Sequence, residues 1–149
     1  VFGSPDSPMI LPPAFQGSGA FGVDIGGIDP GYFSVSLEAE IDSWLTVGAT
    51  DGSLGDQLSS VGVDFSQWTI DSGLTAINGG VFLMDPGTGP SGSVVVGQLT
   101  VPTGSNPAVT FGAQGQLADD PENDWQCSGA TWYYPCRPLI SSLPAQHSV

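Results

Sequence analysis

Asn78–Pro102 reads NGGVFLMDPGTGPSGSVVVGQLTVP, and the fold class turns on how this stretch is understood. Two apolar runs, Val81–Met84 and Val94–Val101, flank a connector of Asp, Pro, Gly, Thr and Ser. Branching at Cβ in Val94, Val95, Val96 and Val101 favours a pleated backbone over a helix. Pro86 fixes φ, and Gly87, Gly89 and Gly92 supply turn conformations at no steric cost. Two buried strands joined by an exposed loop are expected. The connector is long for a tight turn, so the strands are expected to leave for different neighbours rather than close a hairpin. The evenly apolar second run is expected to be covered on both faces, as a groove that receives another segment would be.

Outward from this stretch the pattern repeats. Phe33, Val35, Leu37, Ala39 and Ile41 alternate with Ser34, Ser36, Glu38 and Glu40, which predicts a half-buried strand continuing through Trp44–Val47. Val61, Val63 and Phe65 alternate in the same way, as do Val109, Phe111 and Ala113. Leu74–Ile77 reads as a short strand, with Asn78-Gly79-Gly80 as a hairpin-type turn into Val81. Thr131–Tyr134 closes the series, and no helix is expected. The 22 Gly and 13 Pro fall between these runs, as short strands with tight turns require. The expected fold is all-β: one β-sandwich or jelly roll of about eight to ten short strands. It would span residues 20–140, between an extended N-terminal arm (1–19) and a tail (141–149). At 149 residues the chain can bury a substantial core.

The arm, VFGSPDSPMILPPAFQGSG, is broken by Pro5, Pro8, Pro12 and Pro13, so it should be extended. Phe2, Met9, Ile10, Leu11 and Phe15 make it too apolar for a solvated tail. These side chains need a groove. Either the arm straps its own domain, or it fills a groove on a neighbouring copy by strand addition or swapping.

Charge narrows the partners. Against fifteen carboxylates stand one Arg (Arg137), one His (His147) and no Lys, a formal charge of −14. Nothing here could replace the counterions of a nucleic acid, and an anionic membrane surface is disfavoured for the same reason. No apolar run approaches the ~20 residues of a membrane span. Cys127 and Cys136 are the two cysteines; an even count in this composition points to an oxidising, extracellular setting and one local disulfide. The first residues lack signal-peptide order, so a secreted chain is read as its processed form. No Asn-x-Ser/Thr sequon occurs, which excludes N-glycans; O-glycans on the arm and loops are left open.

Catalytic constellations are sparse. A Ser-His mechanism would rest on His147, in the tail, where packing rarely holds a base. Glu38 and Glu40, about 7 Å apart on one strand face, are a weak candidate for a glycosidase pair; a wet strand face explains them better. Ca²⁺ is the cofactor to weigh, at the acidic 119–124 segment and the 51–56 loop, although neither matches a known loop pattern, and Asp in turns usually bonds its own backbone. Trp44 and Trp68 are expected in the core. Trp125 and Trp132 either pack on the disulfide or join Tyr133 and Tyr134 in a sugar-binding patch.

SWLTVGATDG, NGGVFLMDP, VVVGQLTVPTG and FGAQGQ, spread over residues 43–116, together resemble a pattern of secreted β-sandwich proteins from algae and other protists. More distantly the strands resemble cohesin-like modules, and the arm is similar in kind to the donor strands of pilus-like filaments. The resemblance implies a surface or matrix setting and transfers no catalytic residue. The reading is therefore a non-enzymatic, extracellular structural protein that self-assembles into a filament or matrix layer. Its partners would be copies of itself. The alternative is a carbohydrate-binding or Ca²⁺-dependent adhesion module.

Overall fold

The computed structural model describes residues 1–117, 120 and 122–134. In chain order the strands are β1 (Phe2–Gly3), β2 (Met9–Leu11), β3 (Trp44–Leu45), β4 (Leu58–Val61), β5 (Leu74–Ala76), β6 (Gly79–Leu83), β7 (Gly97–Gln98), β8 (Ala108–Gln116) and β9 (Asp124–Tyr133). One short helix, α1 (Leu37–Ile41), and several 3₁₀ turns complete the described chain. The fold is all-β, and every pairing between named strands is antiparallel.

Seven strands make one sheet and two make a ribbon. Across the large sheet the order runs from β4 to β6 and β5, then to β1 and β2, then to β8, and ends at β9. β1 and β2 share a row because both pair with β8, through Phe2 opposite Gly112 and Ile10 opposite Thr110. On their other side they meet β6 and β5 respectively. Ser4 and Ser7 exchange backbone hydrogen bonds of 2.9 and 3.0 Å, closing the excursion around Pro5 that separates the two strands.

The arm is thus the middle row of the sheet and no appendage to it. Period-two geometry puts Met9 and Leu11 on the core face, 0% and 2% exposed, and turns Ile10 outward at 46%. Leu74 and Ala76 bury from the partner strand in the same alternation. Val81, Phe111, Trp68, Ala14 and Leu45 complete the core, with Val96, Leu99 and Val101 packed against it from the side of the β3–β7 ribbon. Trp44 and Trp68 are buried, as their neighbours suggested.

Three expectations are corrected. The alternating stretch 33–41 is helical: Pro30–Ser34 is a 3₁₀ turn and Leu37–Ile41 is α1. Local capping outweighs the hydrophobic pattern there. The Asp29 carboxylate accepts from the Gly31 N–H at 2.8 Å, and the Ser36 hydroxyl accepts from the Glu38 N–H at 3.2 Å, while Glu38 and Glu40 lie at the favourable positive end of α1. Second, Asn78-Gly79-Gly80 is not a hairpin turn. β5 and β6 do not pair; they bend at Ile77–Asn78 and run along the arm's two strands. Third, Val94–Val101 is not doubly covered. Val94 and Val95 are exposed; Gly97–Gln98 pairs with Trp44–Leu45, and the Val95 and Val96 carbonyls accept from Gly48 and Thr46 N–H on the same side. β6 leaves for β4 and β1, whereas this run leaves for β3, so no hairpin joins them.

Candidate functional site: the seat of the arm and the free edge

The arm's seat is built by glycine. Phe2 lies between Gly80 on one strand and Gly112 on the other. An added Cβ at Gly80 would stand 2.5 Å from the Val1 carbonyl oxygen, and one at Gly112 would stand 2.6 Å from the tip of the Phe2 ring. At Gly3 it would overlap the Ala76 oxygen and the Met9 nitrogen. These three glycines are needed for close approach and not for turning, since none has positive φ. Val1 and Val81 exchange backbone bonds of 2.8 and 2.9 Å. Beyond β2 the arm stays tied: Ala14 N–H donates to Thr69 O, Phe15 N–H to Thr100 O, and the Trp68 indole to Pro12 O at 2.9 Å. The five apolar arm residues divide accordingly. Met9 and Leu11 fill the core, Phe2 and Phe15 are half-buried, and Ile10 faces outward.

Where the arm passes into the body, after Phe15, Asp42 fastens the chain. The Asp42 side chain is fully buried; its two oxygens accept the N–H groups of Gly17 and Val23, each at 2.7 Å. Burial pushes this carboxyl above the usual carboxylate range; the backbone N–H groups of Gly17, Val23 and Ser43 oppose that, and the nearby charge of Asp24 adds to it. Burial also raises Asp24. Beside this connection opens a shallow cleft of about 220 Å³ lined by Gln16, Val23, Asp24, Phe65, Ser66 and Trp68. Gln16 Nε2 has no protein partner there.

The residues weighed for chemistry do not come together. Successive helix residues rotate by about 100°, so Glu38 and Glu40 point to nearly opposite sides of α1 and share no face. Glu38 instead accepts from the Ser18 hydroxyl at 2.9 Å. Asp29, Asp51, Asp64 and Asp85 each accept the N–H two residues on, closing their own turns. For exposed Asp51 the Ser53 hydrogen bonds hold the carboxyl below its ordinary range. Among the described residues no three of His, Cys, Asp and Glu converge as metal ligands; Asp119 of the acidic segment lies outside them. His147 and Arg137 also lie outside the described residues. Cys127 is exposed on β9, and Cys136, with the pairing expected between them, lies outside the described residues as well.

β9 and the residue after it carry Trp125, Trp132, Tyr133 and Tyr134. Trp132, opposite Val109, stacks on Phe111 with ring centroids 4.4 Å apart, and Trp125 lies across Gly115. Both remain about half exposed, as do Tyr133 and, more so, Tyr134. The sequence set these apart from Trp44 and Trp68 by their place beside Cys127, but carried no signal for the stacking of Trp132 on Phe111. The glycine seat of Phe2 was equally hidden, because Gly-Gly reads first as a turn. Comparisons with protein-family models, with curated proteins and with solved structures find no match to this chain.

Proposed function

We propose that the chain is an extracellular structural protein whose copies join by exchanging their N-terminal arms. One observation carries the reading: the first strands in sequence form the middle row of the sheet, held on both sides by strands that come much later. Lifting the arm out would leave a cleft between β5 and β6 on one side and β8 on the other, lined by Leu74, Ala76, Val81 and Phe111. The arm of a second copy restores every contact, so exchange changes connectivity at almost no energetic difference beyond the connection around Gly17–Val23. A donor strand inserted between two acceptor strands has this arrangement.

The barrier should be high. Met9 and Leu11 alone contribute about 1.5–3 kcal/mol each by burial, and the arm's backbone bonds add to that. Exchange is therefore expected during folding or under destabilising conditions, and exchanged copies should persist once formed. Refolding the full chain over a range of concentrations, then diluting and measuring sedimentation, tests this. Oligomers that increase with refolding concentration and survive dilution support exchange. Monomer at every refolding concentration contradicts it.

A further inference from the structure

β9 pairs with β8 along one side; among the described residues its other side has no partner. The Tyr134 N–H donates to the Pro107 carbonyl at 3.1 Å, so strand alternation turns the N–H and C=O of Thr131 and Tyr133 away from β8. Sheet edges are ordinarily guarded by brevity, charge, Pro or a β-bulge; β9 has one bulge, around Ser128–Gly129, which leaves Ala130–Tyr133 as a regular edge. β9 is ten residues long and contains neither Lys nor Pro. The pairing of Trp132 with Val109 and of Trp125 with Gly115 puts both indoles on the face that carries Phe111. Phe111 is 7% exposed, whereas Trp125 and Trp132 are 44% and 47% exposed. The core face of the sheet thus continues past the point where the described residues cover it.

Charge says which partner fits. The chain carries −14, yet residues 125–134 carry no charge. Two copies that repel over most of their surfaces can meet here with least opposition. Area agrees. Three aromatics near half exposure and Tyr134 at 67%, each burying about 150–250 Å² when fully covered, contribute roughly 400 Å². Gln126, Cys127, Ser128 and the edge backbone add to this, toward the roughly 800 Å² per partner of a stable pair.

We infer that β9 pairs antiparallel with β9 of a second copy about a two-fold axis, making the two sheets continuous. The contact does not require arm exchange: in the sheet order β8 lies between β9 and the arm's strands, and the arm approaches β9 through Ser7 at Gly129, on the bulge and away from the Thr131 and Tyr133 edge. If both operate, each copy has two self-complementary contacts, and together these generate an open chain rather than a closed dimer.

Amide hydrogen exchange and sedimentation of the full chain test this in about 0.5 M NaCl, where the Debye length is about 4 Å. Protection of the Thr131 and Tyr133 amides is expected to rise about tenfold from dilute to concentrated protein, while the Trp132 amide, bonded to β8, stays constant. Association should reverse on dilution, unlike that of exchanged arms, so failure of either contact is told apart from failure of the other. Tyr133→Lys should weaken the reversible association about tenfold without lowering the melting temperature. Thr131 and Tyr133 amides equally protected at every concentration would overturn the inference, because the chain's own residues would then cover the edge. So would association indifferent to both Tyr133→Lys and Thr131→Lys. Protection that appears with cellohexaose and not with concentration would overturn it in favour of a glycan site.

Discussion

Gly3→Ala is the substitution that the seat of the arm should tolerate least. The added methyl would overlap the carbonyl oxygen of Ala76 and the backbone nitrogen of Met9. Both are main-chain atoms of paired strands, so neither can swing aside, and the arm must move by about 1 Å to restore contact distances. Overpacking of this kind costs about 1–3 kcal/mol where side chains give way. Here the displaced segment also carries Met9, which is fully buried, so about 3 kcal/mol is expected. At 2–4 °C per kcal/mol for a domain of this size, the melting temperature should fall by about 6–12 °C. Gly55 is the control: an added Cβ meets nothing within 4 Å and its φ is not positive. Gly55→Ala should be neutral or stabilise by about 0.5 kcal/mol. Urea unfolding followed by tryptophan fluorescence reads both variants, with buried Trp68 among the reporters. A Gly3→Ala variant as stable as the parent would refute the placement of the arm inside the sheet.

Neighbouring arm positions should behave oppositely. Met9→Ala should cost about 2–5 kcal/mol, and Ile10→Ala, on the outward face, under about 1 kcal/mol; equal losses in chemical denaturation would mean the arm is not pleated in this register. Asp42 should give stability a distinctive slope with pH. Its carboxyl is raised in the folded chain, so protonation favours folding. That contribution is complete below the ordinary Asp value of about 3.9 and is lost as pH rises through the higher folded value. Asp24 is raised too and acts in the same direction. Asp42→Asn should flatten the slope and, by leaving Gly17 or Val23 N–H without an acceptor, cost about 1–3 kcal/mol at neutral pH. Thermal melts from pH 4 to 8 decide this, and an unchanged slope would remove Asp42 as its source.

The all-β class was legible because β-branched runs and Gly/Pro punctuation agree along most of the chain. The arm was legible as a segment needing cover, since Met9 and Leu11 are too apolar to be solvated. Its place in the sheet was not. Glycine gives one signal for two requirements, positive φ and close approach, and Gly79-Gly80 read as a turn when Gly80 serves to admit Phe2. The 33–41 stretch misled in a different way. Its period of two was real, but Val35 and Leu37 are exposed, and the signals that decided the backbone were Asp29-Pro30 and Ser36, both helix starts. Val94 and Val95 show the limit of composition: apolar residues can lie at the surface when no second layer reaches them. That β9 has no second partner among the described residues depends on which strands lie beyond it, a long-range fact that no local pattern encodes.

Arm exchange is tested most directly by a disulfide that records whose arm occupies the seat. Ile10 and Thr110 are direct partners across β2 and β8, at the roughly 4.5–5.5 Å Cα separation of antiparallel pairs that a disulfide can span. With Cys127 and Cys136 replaced by Ser, the Ile10→Cys/Thr110→Cys chain can be refolded at low and high concentration, oxidised, and run under denaturing, non-reducing conditions. Exchange predicts covalent dimers and longer ladders that grow with refolding concentration. Cross-linked monomer alone at every concentration would contradict it.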